Sequence, residues 1–149
     1  ARCVMGFAED LKKICDRAGD KAELVVRRAA LELYGQMIER SPVGNPDLWK
    51  SPATSGYVGG RFKNNWQVGI GSIDTRTNRG VDDSGSGAIT SGNAALKAWT
   101  PGKTIFLSNS MPYAYRLETG WSKQAPSGIV RLTVQNFEVA IKKAAYSIK

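Results

Sequence analysis

The stretch from residue 42 to residue 63 constrains this chain more than any other, because it gathers Pro42, Gly44, Pro46, Pro52, Gly56, Gly59 and Gly60 into one segment. Proline removes a backbone donor and disfavours helical geometry in the residue before it, and glycine is costly to order. No helix is expected to persist here, so a long loop or extended arm over about 42–63 follows. Loops beyond about 12–15 residues are uncommon in compact domains and are usually functional or ordered by a partner. Leu48, Trp49, Tyr57 and Val58 are large apolar groups in this arm with no periodicity of their own. They must pack on this domain or on a neighbour.

The elements around the arm are readable from periodicity. A short amphipathic helix is expected over 6–17, with Phe7, Leu11 and Ile14 at helical spacing. Gly19 ends it, and Asp20 with Glu23 three residues later forms a variant of the capping box. A longer helix follows over about 21–40, with Ala22, Val26, Ala29, Ala30, Leu33 and Met37 on one stripe, widened by Leu31, Tyr34 and Ile38. Ser41-Pro42 stops it.

Beyond the arm, Trp66, Val68 and Ile70 alternate with Gln67, Gly69 and Gly71, which predicts a half-buried strand over 65–72. Residues 73–92, rich in Asp, Ser, Thr and Gly, read as a flexible excursion. Ala94 to Trp99 allows one or two helical turns, Thr104 to Ser108 a second strand, and 109–128 another loop. From Ile129 helical spacing continues to the C-terminus. The order implies an α+β domain: a small antiparallel sheet with the long N-terminal helix and the C-terminal helix packed on one face, plus long loops and the arm. With 149 residues, the chain fits a single domain over 1–149 on the usual size of about 100–200 residues.

Composition removes several kinds of chemistry. There is no histidine, so Ser-His-Asp and Cys-His machinery and imidazole metal ligands are excluded. Cys3 and Cys15 suit neither a CxxC redox pair nor a zinc site, and reduced thiols fit an intracellular origin. No leader sequence is expected, and no apolar run is long enough to span a membrane. Pro101-Gly102-Lys103-Thr104 ends like a phosphate-binding loop, but Lys97 occupies the position of the required first glycine and a strand pattern follows. Gly69-Ile70-Gly71 lacks the third glycine and the helix of a dinucleotide fingerprint. Asp82 and Asp83, with only Asp74 nearby, read as solvated loop charges. Glu118 has no second acid or matched base beside it, so an ion pair or a backbone hydrogen bond, within the chain or across a subunit boundary, is expected. No catalytic residue, cofactor or metal is expected.

The formal charge is +8, and residues 101–149, with seven basic and two acidic side chains, hold +5 of it. Such a balance invites nucleic acid or an acidic protein surface as a partner. Tyr57, Tyr113, Tyr115, Trp121, Arg116, Lys123 and Arg131 are compatible with an aromatic and basic nucleic-acid platform, and equally with a protein–protein hot spot.

Five motifs in order carry a resemblance. They are Ser41-Pro42-Val43, then Gly60-Arg61 followed by Trp66, then Asn109 with Pro112-Tyr113-Ala114, then Leu117-Glu118 with Gly120, then Gln124-Ala125-Pro126 with Gly128. In this series the chain resembles the small tail-completion or neck proteins that join head to tail in long-tailed bacteriophages. The insertion Asn45–Gly59 departs from that pattern. The resemblance implies a structural virion protein, made in the host cytoplasm and assembled as a homo-oligomeric ring at the portal or the top of the tail tube. Six copies are the first expectation and twelve the second. The implied partners are portal, adaptor or stopper proteins and tail-tube proteins, with the passing DNA a further contact for the basic third. Interface residues are expected in the arm and the later loop: Leu48, Trp49, Tyr57, Arg61, Trp66, Pro112, Tyr113, Tyr115, Glu118, Trp121, Lys123 and Gln124. The alternative is a non-specific nucleic-acid-binding protein.

Overall fold

The computed structural model describes residues 19–148 and, before them, Glu9, Lys12, Lys13 and Asp16. Those four are helical, and the rest of the helix expected over 6–17, with Cys3 and Cys15, lies outside the described residues. From residue 19 onward the chain is mixed helix and strand: α1 (Ala22–Arg40), α2 (Arg61–Asn64), β1 (Gln67–Ile70), α3 (Ser86–Lys97), β2 (Ile105–Ser108), α4 (Ala114–Glu118), α5 (Val130–Gln135) and α6 (Phe137–Tyr146). No described helix is long and apolar enough to cross a membrane.

α1 is the spine. Its C-terminal half buries Ala30, Tyr34, Met37 and Ile38 in a core shared with Phe62, Trp66, Val68, Ala88, Leu96, Met111, Ala125 and Ile129. Its N-terminal half buries Val25 and Ala29 against Ile141 and Ala144 of α6. Two neighbours on two sides explain why Val25 is buried where the apolar stripe put Ala22 and Val26, which are half-buried. The expected capping box does not start α1. Its N-cap is Lys21, at the end of a 3-10 turn over Gly19–Lys21, and Glu23 pairs forward with Arg27. The helix ends as expected at Ser41, which turns extended at φ −68° and ψ 127°.

β1 and β2 pair antiparallel, Gln67 with Ser108 through Ile70 with Ile105. β1 is not half-buried as its alternation suggested: Gln67 and Gly69 are buried too. The cover comes from the chain that follows: Ser72 and Asp74 lie over Gly69, and residues 76–80, part of the supposed flexible excursion, form a strap fastened by side-chain amides. Asn65 donates to Arg79 O (2.7 Å) and accepts from Arg79 N (3.0 Å). Gln67 donates to Arg76 O (2.9 Å), and Asn64 to Gly80 O (2.9 Å). Arg79 reaches back to Asn64 O, Trp66 O, Gln67 Oε1 and Ser91 Oγ.

The second half of the supposed excursion is α3, a full helix that absorbs the turns expected at 94–99. Asp82 caps it from outside, accepting from Ser84 N and Oγ, Gly85 N, Ser86 Oγ and Gly87 N, and Asn64 Oδ1 accepts from Ala88 N. Those donors hold the Asp82 carboxyl well below its usual pKa, with the Ser84 and Ser86 hydroxyls first among them. Asp82 is thus a cap where a free loop charge was expected. α3 lies close to α1 because Gly92 faces the Tyr34 ring, where a Cβ would collide. The Tyr34 hydroxyl is buried between two carbonyls, Trp66 O (2.8 Å) and Ala88 O (2.9 Å), which share its single proton. Burial pushes its pKa up to about 12.

The C-terminal helix is two helices. Asn136 separates α5 from α6 at φ −94° and ψ 6°, and its N–H bonds Thr133 O in a tightened turn. Thr133 is fully buried there, accepting from Arg40 at the end of α1 (2.8 Å).

Candidate interaction surface

The expected arm is a closed loop. Where α1 stops, Ser41 Oγ donates to Met37 O and accepts from the Trp66 indole, both at 2.7 Å. Pro46–Leu48 then form a 3-10 turn capped by Asn45. The chain leaves and returns through one neck: a Cβ on Gly59 would collide with Gly44 O, and one on Gly44 with the Tyr57 hydroxyl. Inside the loop Trp49 and Tyr57 pack edge to face, centroids 4.8 Å apart. A compact surface loop with close ends, packed by its own side chains, is an Ω-loop. α2 starts within the span expected to be free of helix, because Arg61–Asn64 follows the last glycine of the run.

The second loop lies beside the first. Gln124 grips Val43 at both backbone groups, accepting from its N–H (3.1 Å) and donating to its carbonyl (2.8 Å). Tyr113 packs on Phe62 at 6.0 Å. Partial burial, then the neighbouring Tyr57, raise the Tyr113 pKa, against the lowering pull of Arg61. Trp49, Tyr57, Arg61, Tyr113 and Gln124, which the sequence offered as separate candidates, therefore sit together.

A second cluster follows along α4. The Arg116 guanidinium stacks 5.0 Å over the Trp121 ring, while Trp121 and Tyr115 are 73% and 79% exposed. Glu118 anchors the base of this cluster. Its carboxylate accepts from the N–H groups of Ile129, Val130 and Arg131, each at 2.9 Å. Burial alone would raise its pKa, but these three donors and the Arg131 charge outweigh it and hold the carboxyl below its usual value. Glu118 thus makes its hydrogen bonds within the chain. Leu48, Pro112 and Lys123 are exposed around the two clusters.

Trp66 does not belong to this surface. It is 3% exposed, sits in the core against Phe62 and spends its only donor on Ser41. Its strand position already placed it on the inward face with Val68. Phe62, which supports Tyr113, and the Gly44–Gly59 neck were not singled out from sequence; the two glycines are the one local signal that a loop closes here. Two open hollows lie elsewhere, one of about 380 Å³ between α1 and α3 and one of about 300 Å³ between α1 and α6, and include none of these loop residues.

An exposed aromatic surface on a braced framework is suited to recognition. Rigid aromatics and arginine bury large areas at small entropic cost, which is why binding energy concentrates on them. Comparison of the chain with protein-family models, curated proteins and solved structures gives no match.

Proposed function

We propose that this chain is a structural protein of the phage neck or tail top, a ring-forming subunit that completes the tail and joins it to the head. The observation that carries this reading is the locked pair of loops. Gln124 ties the 113–128 loop to Val43, and the two present Trp49, Tyr57, Tyr113, Tyr115 and Trp121 on the outside. Aromatics held out by buried anchors and a closed neck suit a surface that docks without refolding. A ring needs heterologous contacts, one patch meeting a different one. The aromatic loops supply one patch, and portal, adaptor, stopper or tail-tube proteins supply the rest of the assembly. Six copies match tail symmetry, and twelve match a portal. The basic C-terminal third faces acidic neighbours or the DNA that passes through.

Mass photometry of the purified protein with tailless heads and headless tails tests this. Binding to one of the two particles supports the reading, and binding to neither refutes it. The charge of +8 favours a second reading, non-specific nucleic-acid binding. That reading requires an affinity for DNA that falls steeply with salt, and a gel shift at low salt with no complex removes it.

A further inference from the structure

A sheet of two strands has two outer edges, and the hydrogen-bond parity of this one shows which groups of β2 face outward. Gly71 N–H bonds Thr104 O at 2.8 Å, one step beyond the pairing of Ile70 with Ile105. In an antiparallel ladder, bonded pairs alternate with non-bonded pairs. Phe106 and Ser108 therefore direct their backbone groups to β1, and Ile105 and Leu107 direct theirs away from it. Among the described residues nothing bonds the N–H or C=O of Ile105 or Leu107. Among the described elements, β1 is also the only one packed extensively on β2. Natural edge strands carry charges, prolines or bulges that prevent pairing, and Thr104-Ile105-Phe106-Leu107-Ser108 has none of them.

We propose that this edge pairs with the same edge of a second copy, giving a two-fold dimer with one continuous sheet in the order β1, β2, β2, β1. The sequence of β2 is self-complementary in one antiparallel register. With Phe106 opposite Phe106 of the second copy, Ile105 stands opposite Leu107 at both ends. These two pairs exchange all the outward backbone groups of Ile105 and Leu107. Thr104 then faces Ser108, a favourable cross-strand pair, and Lys103 faces Asn109, so no like charges meet. Ser108 Oγ already donates to Asp74 O at 2.9 Å and retains acceptor capacity for Thr104. The two Phe106 rings, half-buried in the single copy, meet on the axis. A slip of one residue either way breaks this bonding, because outward groups would then face inward ones.

The dimer closes on itself, so it is a state of the free protein and not the contact that builds a ring. The inference rests on the sheet alone, and dimerisation and particle binding are read separately. Because β2 is short, pairing is expected to emerge with concentration.

The test uses the full chain. Sedimentation over rising concentration is expected to show passage from 16.1 kDa to twice that mass. Hydrogen exchange is expected to show the Ile105 and Leu107 amides gaining protection in step, while the Phe106 amide, bonded to β1, is protected throughout. Phe106→Glu and Phe106→Lys each place like charges across the axis and are expected to remain monomeric with unchanged circular dichroism. Mixing the two in equal amounts is expected to restore the double mass. Where a variant fails to fold, the wild-type exchange data still decide. A mass that never rises overturns the proposal. So does protection of Ile105 and Leu107 that is independent of concentration, since a segment of the same chain then covers the edge. A dimer in which these two amides stay unprotected overturns it as well.

Discussion

Arg79→Ala is expected to destabilise the fold by about 3 kcal/mol, although the residue lies in a segment whose composition reads as loop. The guanidinium donates to four acceptors, and their fates differ once it is gone. Trp66 O keeps the Tyr34 hydroxyl, and Ser91 lies at an exposed site, where water replaces the lost donor. Asn64 O, held at 2.7 Å, and Gln67 Oε1, held at 2.6 Å on a residue only 2% exposed, have no other donor among the described residues. Each orphaned buried acceptor costs about 1–3 kcal/mol, so two give a total near 3. At about 2–4 °C per kcal/mol for a chain of this size, thermal unfolding followed by circular dichroism should shift down by roughly 10 °C. Arg79→Lys keeps the charge but loses the planar fork, and should recover less than half of the loss. A melting point within about 2 °C of wild type for Arg79→Ala would show that the strap over β1 is ornamental and that its hydrogen bonds carry no net energy.

Three further outcomes follow from the same contacts. Gly92→Ala should destabilise by about 1–2 kcal/mol in thermal unfolding: alanine gains about 1 kcal/mol of helix propensity, but its Cβ collides with the Tyr34 ring and overpacks the α1–α3 contact. The Glu118 carboxyl is held below its usual pKa, so its contribution is fully present above the unfolded-state value and is lost as pH falls through the folded one. Melting points from about pH 5 downward should therefore converge for wild type and Glu118→Gln, with wild type the more stable at neutral pH; parallel curves would contradict this role. Trp121→Ala and Arg116→Ala touch exposed groups and should leave stability within about 0.5 kcal/mol while weakening binding to head or tail particles, read by mass photometry.

Local patterns made some of this fold legible and left other parts hidden. α1 was readable because its apolar spacing and the Ser41-Pro42 stop are both local, and β2 because Ile105, Phe106 and Leu107 form an unbroken apolar run. α3 was not, because Ser86, Gly87, Ser91, Gly92 and Asn93 have the composition of a loop. Those small side chains are what lets the helix approach Tyr34, so the property that hides the helix is the one that packs it. The strap was hidden for a different reason. Asn64, Asn65 and Gln67 bond backbone groups 16, 14 and 9 positions away, and no periodicity encodes such pairs. In the candidate surface, the exposed aromatics were visible one by one. Their grouping depends on the Gln124–Val43 tether across 81 positions, which no motif announces.

The Gly44–Gly59 neck has one more consequence. Because the chain departs from the framework and rejoins it at one point, the length of what lies between is almost decoupled from the rest of the fold. Closing a loop costs only about 0.6 kcal/mol more for each doubling of its length. Such a junction behaves as a splice site: lineages can lengthen, shorten or exchange the intervening cassette, and with it the choice of neighbour, while the body of the subunit stays as it is.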